Sequence, residues 1–433
     1  MRQPTRVRWF LGFWLFILSG VGFLDRTNIS IAGLSMIKEF GWSNQRLGFI
    51  FSAFLIGYAG FQLPAGFLVT RYGPRLVLML GVLWWGVATL LTTMIPAHVP
   101  YALGMLIAVR FALGAGESVI YPAANLFVSR WIPQQERGFI NGLIFAGVGA
   151  GSGLTPPLLT WIIVEHGWRS AFWFSAIVGF FAGAVWWIFS RDFPEDHPGV
   201  SRAELKEIRE GLSAPNIKRP IASDQRKIRI SWRVLLFNRN LATLALGYFS
   251  FGYVAWVFFS WFFLYLAQAR GIDLRASARY AMLPFICMTV GSLAGGILSD
   301  RLTRLKGLRV GRCYLASFSL FLAAIFLILG SQVRSSSLAG VILAGGAGVL
   351  YLSQSSFWSA SVDIAGRSSA VFSSIVNIGG QIGGALTASL TPLIAQRVGW
   401  VWSFAVAAGF ALLGSICWLF VHPERVIEAA HLD

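Results

Sequence analysis

The sequence predicts an all-helical membrane protein with twelve transmembrane helices in two six-helix bundles. Three observations carry this. Of 433 residues, 56% are hydrophobic and only 12% charged, too apolar for a soluble protein of this size. Apolar runs of about 20 residues recur along the whole chain, each long enough to cross ~30 Å of hydrocarbon. The runs are continuous rather than alternating, which argues against a β-barrel.

The first run, 9–36, is too long for a signal peptide and lacks a small-residue cleavage site, so it is expected to be retained. It holds Asp25 and Arg26 at membrane depth. A charged side chain at a helix centre costs roughly 2.5–3.5 kcal/mol on insertion scales. Adjacent helical residues point ~100° apart, so each charge needs a partner on another helix or in an aqueous cavity. The second run, 45–70, ends in Arg71-Tyr-Gly73-Pro-Arg75 and leads into the third, 76–95. The fourth, 100–129, carries Arg110 and Glu117, seven apart and so on one face, ~10.5 Å along the axis. The fifth, 138–164, is rich in glycine and meets the sixth, 168–190, at Gly167-Trp168. Runs seven to ten are 240–268, 277–300, 312–332 and 338–361. Run eleven, 368–395, repeats the glycine pattern at Gly379-Gly380 and Gly383-Gly384, and meets the twelfth, 400–421, at Gly399-Trp400.

The only long polar stretch, 191–239, divides the chain into an N-terminal bundle (1–190) and a C-terminal bundle with a short tail (240–433). Inside it, Ser201-Arg-Ala-Glu204 has the form of a capping box before a short amphipathic helix stopped at Gly211. The halves echo each other about 230 residues apart: Gly66…Arg71 against Gly296…Arg301, and Gly147…Trp168 against Gly379…Trp400. Parallel halves with a site between them near the midplane suit alternating access.

The net charge of +17 is not a nucleic-acid signature, because 25 of the 35 Lys and Arg fall on one side of the predicted topology. That side is assigned to the cytoplasm, together with both termini. The loop holding Arg270, Arg275 and Arg279 runs against the rule. Three scattered cysteines and five scattered histidines form neither a disulfide framework nor a metal-ligand spacing. No nucleophile–base pair or metal cluster lies among the spans, so an enzyme is not expected.

Several motifs together resemble the major facilitator superfamily, and within it the anion:cation symporter family of bacterial sugar-acid, tartrate and phthalate permeases. They are Asp25-Arg26-Thr-Asn28, Phe51-Ser-Ala-Phe54 with Tyr58 and Gln62-Leu-Pro64, Arg110-x-x-x-Gly114-x-Gly116-Glu117, and Phe193-Pro194-Glu195-Asp196-His197-Pro198. The resemblance covers nearly the whole chain. One departure is Thr70, where the superfamily loop carries an acid; Asp300 keeps that acid in the second half. The resemblance implies a monomeric carrier in a bacterial inner membrane, without a cofactor, coupled to a proton.

The charges suggest a division of labour. Arg26 would hold a substrate carboxylate bidentately, with Tyr58, Ser355, Trp358 and Asn377 meeting the rest of the molecule. Glu117 would compete for Arg26 until protonated. Asp25 would be a second proton site, biased by Arg110 nearby. Tyr248, Tyr253, Gln354 and Gln381 are further polar groups of the second half, though Gln354 and Gln381 more often serve helix packing. Val148 and Tyr248 stand where similar sugar-acid carriers have Gln, which raises a small or aromatic carboxylate as a rival substrate. The alternative is a drug or metabolite:proton antiporter of the same fold, against which the membrane-embedded arginines argue.

Overall fold

The expected spans turn into helices whose ends are set by glycine and proline. A computed structural model describes residues 5–42, 44–97, 99–212, 238–262, 265–271 and 274–425; the expectations for 213–237 of the central loop and for the tail from 426 lie outside them. The helices are α1 (Val7–Phe40), α2 (Asn44–Tyr72), α3 (Pro74–Thr93), α4 (Ala102–Glu117), α5 (Ile120–Trp131), α6 (Arg137–His166), α7 (Trp168–Phe189) and the short α8 (Arg202–Gly211). The second half contains α9 (Arg239–Ser260), α10 (Leu274–Lys306), α11 (Leu315–Gln332), α12 (Ser336–Leu352), α13 (Gln354–Ala365), α14 (Ser369–Val398) and α15 (Trp400–Leu419). Among the described residues, eleven stretches are long and apolar enough to cross a membrane. The 30-residue α14 is long enough to be the twelfth.

Three of the sequence's turn signals have one physical cause. Gly73, Gly167 and Gly399 have φ of 89°, 81° and 96°, a region that strains a side chain. Each reverses the chain directly into the next helix. Glycine serves a different purpose inside the helices. A Cβ on Gly114 would lie 2.2 Å from the Phe54 carbonyl, and one on Gly151 would lie 2.6 Å from that of Gly20. These positions let α4 approach α2, and α6 approach α1, to backbone contact.

The fourth and tenth spans, expected to be continuous, are each broken. The fourth breaks at Ser118–Val119 because Pro122 has no N–H to give the Ser118 carbonyl. That carbonyl accepts instead from Gln62 Nε2 at 3.2 Å. Glu117 is thereby the last residue of α4. The tenth breaks at Ser353, between α12 and α13.

We call the face that carries the start of α1, the helix α8 and the end of α15 the terminal face. There α8 is capped by Ser201 Oγ, which accepts from the Glu204 N–H at 3.2 Å. Glu204 does not close a capping box on Ser201. Its carboxylate accepts from Thr5 Oγ1 (2.7 Å), Val7 N (3.2 Å) and Arg8 N (3.1 Å), and so caps α1. Gly211 is not the stop either: it remains helical, and its bare Cα lies against Pro133, where a Cβ would come within 2.4 Å. At the opposite face the exceptional Arg270 has a local explanation. Its guanidinium donates to the carbonyls of Gly330, Ser331 and Val333 at 3.3, 3.1 and 2.6 Å, covering the free C-terminal end of α11. The side chains of Arg275 and Arg279 lie outside the described residues.

Candidate functional site

The four membrane-embedded charges of the first half come from α1 and α4. Arg26 Nε donates to Glu117 Oε2 at 2.7 Å, and Glu117 is fully buried. The guanidinium lies 4.6 Å from the ring centres of both Phe23 and Tyr58 and 5.5 Å from that of Phe54. These π faces stabilise a cation while leaving its hydrogen-bonding edge free. Arg26 Nη2 and Glu117 Oε1 have no partner within the described protein.

Asp25 and Arg110 are placed differently. Asp25 is 1% exposed and Arg110 2%, yet they form no ion pair. Neither Asp25 oxygen has a hydrogen-bond partner among the described residues, nor do Nε and Nη1 of Arg110. Arg110 sits instead over the Phe54 ring at 5.2 Å. The two interact only through space, within a field that also includes Arg26 and Glu117.

Arg26 opens on a cavity of about 60 Å³ at the seam between the bundles. The first bundle contributes Phe23, Arg26, Tyr121, Phe145 and Val148. The second contributes Tyr248, Phe251, Trp256, Phe259, Tyr351, Gln354, Asn377 and Gln381 among others. Of the residues proposed to contact substrate, Arg26 and Asn377 line this cavity. Tyr58 lies one layer behind, its ring under Arg26 and its hydroxyl 3.4 Å from Asn377 Nδ2. Trp358 also lies in a second layer, with ring centres 4.8 Å from Phe145, 5.5 Å from Tyr121 and 5.9 Å from Tyr248. Ser355 is fully buried and does not line the cavity.

Tyr121 lines the cavity but is absent from the sequence-derived set. It follows Glu117 by one helical turn, so a face projected from Glu117 would have included it but for the break at Ser118–Val119. Its hydroxyl lies 3.2 Å from Ser19 Oγ, and its ring stacks on Phe145 at 4.8 Å. Gln354, read more readily as packing, holds the Tyr248 hydroxyl at 3.1 Å.

The bundles are clasped at the terminal face by a second, wholly buried charge cluster. Arg137 of the first half pairs with Asp363 at 2.5 Å, and Arg312 bridges Asp363 and Asp300 at 3.3 and 2.9 Å. Asp300 also accepts the Gly138 and Phe139 N–H groups at 2.8 and 2.6 Å, and Arg312 donates to the Gln134 carbonyl at 2.8 Å. Among the described residues the other seam shows no equivalent acid. Thr70 turns its hydroxyl to the Gly66 carbonyl of its own helix at 2.8 Å, while Gly66 packs against Ala370, Val371 and Ser374 of α14.

A family model described as the Major Facilitator Superfamily matches residues 15–384. The chain is 29% identical to the probable sulfoacetate transporter of Cupriavidus necator, over 99% of this chain and 97% of that one. It is 30% identical to the chloroplastic ascorbate transporter of Arabidopsis thaliana, over 94% and 73% respectively. It is 28% identical to a probable galactarate/D-glucarate transporter of Escherichia coli, over 97% and 96%. Among solved structures, a proton:xylose symporter superposes with a TM-score of 0.73 at 15% identity, covering 95% of this chain and 96% of that one, a likeness of fold. With eleven apolar spans among the described residues, paired bundles and relatives named as transporters of anions and sugar acids, this chain is a transporter, not an enzyme, and belongs to the Major Facilitator Superfamily.

Proposed function

We propose that the protein is a proton-coupled importer of a small organic anion, working by alternating access in a bacterial inner membrane with both termini in the cytoplasm. The observation that carries this is Arg26: a guanidinium opening on the cavity between the bundles, held on one edge by a buried carboxylate. Relatives named for sulfoacetate, ascorbate and galactarate/D-glucarate support an anionic substrate. A guanidinium in the cavity suits an anion and disfavours the lipophilic cations of a drug antiporter.

In the empty carrier Glu117 occupies Arg26. A proton on Glu117 removes the competing charge, and Arg26 turns its free edge to the substrate carboxylate in a two-point grip. Asp25, buried and without a partner, accepts the second proton. Arg110, buried nearby without an ion pair to it, biases that site until the bundles rock. Release toward the terminal face requires the Arg137–Asp363 pair, the Gly138 and Phe139 N–H bonds to Asp300 and the Arg312 bond to the Gln134 carbonyl to part. Two protons with one monoanion carry net positive charge, so an inside-negative potential drives accumulation.

In proteoliposomes loaded with a carboxylate substrate, Glu117→Gln is expected to retain counterflow exchange and lose uptake driven by an inward proton gradient. Raising the pH on the entry side should slow uptake by the native carrier, because the carboxyls must be protonated there. Normal concentrative uptake by Glu117→Gln would remove Glu117 from coupling. Accumulation opposed by an inward proton gradient would identify an antiporter.

A further inference from the structure

The cavity has one cation and many ring faces, and that combination narrows its occupant. This inference rests on reading the cavity as the anion site. We propose that the preferred substrate is a monocarboxylate on a flat, ring-sized apolar body, an aromatic acid, rather than a polyhydroxylated or dicarboxylic acid.

The first argument is charge. Arg26 is the only basic residue lining the cavity among the described residues; Arg110 does not reach it. A second carboxylate would therefore be desolvated with no cation to meet it, a severe penalty in a low-dielectric site. The second argument is hydrogen bonding. Three polar groups of the lining already have partners inside the protein: the Tyr121 hydroxyl with Ser19, the Tyr248 hydroxyl with Gln354, and the Asn377 amide with Tyr58. A row of sugar hydroxyls would have to compete with these bonds, with Gln354 Oε1 an open acceptor, whereas an apolar ring leaves them intact.

The third argument is shape. One wall is the Tyr121–Phe145 stack, with planes 14° apart, extended by Val148. The other is Tyr248, stacked on Phe251 with planes 3° apart. The Tyr248 ring is fixed in that orientation. One side of the ring abuts Gly380, where a Cβ would come within 2.6 Å of it, and it makes a T-shaped contact with Phe357 at 5.0 Å. Two aromatic stacks lining the same cavity as one guanidinium suit a planar carboxylate once the seam widens beyond the present volume of about 60 Å³, because rings present contact area at little cost in side-chain order.

The test is ligand-induced thermal stabilisation and titration calorimetry on the purified full chain. Benzoate, cyclohexanecarboxylate, gluconate, glucarate and the uncharged benzamide are the probes. Benzoate is expected to bind at least about tenfold more tightly than gluconate and glucarate, with benzamide silent and the signal lost in Arg26→Gln. Tyr248→Leu should weaken benzoate about five- to tenfold, and Val148→Gln should narrow the gap between benzoate and gluconate. Because Tyr248→Leu could unfold, Val148→Gln supplies an independent arm. If gluconate or glucarate binds best and Arg26→Gln abolishes it, the aromatic preference is overturned and the anion site stands. If no carboxylate binds in an Arg26-dependent way, the anion site itself falls.

Discussion

Arg26 lies partly buried in a membrane-spanning helix, and the residues around it explain how a cation is kept there. Three aromatic faces and one carboxylate share its stabilisation. The edge that carries Nη2 is left without a protein partner. Arg26→Lys keeps the charge but loses the planar two-point geometry. Carboxylate affinity measured by titration calorimetry should then fall by about tenfold or more, roughly 1.4 kcal/mol, while the variant still folds. Tyr58→Phe keeps the ring under Arg26 and removes only the contact to Asn377, so it should change affinity far less than Arg26→Lys in the same experiment.

At the scale of the element, the broken fourth span matters most. A continuous helix would carry Tyr121 and Glu117 on one unbroken face. Pro122 interrupts it and leaves the Ser118 carbonyl without its helical donor, a vacancy that Gln62 fills. Gln62→Ala should cost about 1–3 kcal/mol, the penalty for an unpaired buried acceptor. That loss should register as a lower melting temperature in detergent with unchanged helical content. Pro122 is plain in the sequence, but its rescue by a residue on another helix is not, because it depends on α2 lying beside the break. The same limit applies to Glu204. Its spacing from Ser201 resembles a capping box, yet its carboxylate caps α1 instead. Glu204→Gln should raise the protease sensitivity or hydrogen exchange of the first turn of α1, while leaving ligand binding unchanged.

For the whole molecule, the clasp at the terminal face is lopsided. One seam is pinned by Arg137, Arg312, Asp300 and Asp363; at the other, among the described residues, Gly66 packs closely against α14 and no ion pair is seen. Asp363→Asn leaves Arg137 without its buried counter-charge and weakens the grip on Arg312. Removing one side of a buried pair costs about 3–5 kcal/mol, enough to shift a two-state equilibrium strongly. Spin labels on the terminal-face ends of α6 and α10 should then report a longer mean separation than in the native carrier. An unchanged separation would mean that packing, not charge, holds the bundles together.

Read alone, the sequence determined the span pattern, the twofold repeat, the family resemblance and the four buried charges. Each follows from local composition: apolar length, glycine and proline at turns, and the cost of an ion in lipid. It could not decide which buried charges pair. Arg26 with Glu117, and Asp25 apart from Arg110, depend on the rotation of α1 against α4, and a residue's spacing along its own helix does not encode that rotation. Nor could it separate the cavity wall from the layer behind it. Asn377 lies in front while Tyr58, Trp358 and Ser355 lie behind, because depth at a seam is set by how two bundles meet. Only the tertiary structure supplies that relation.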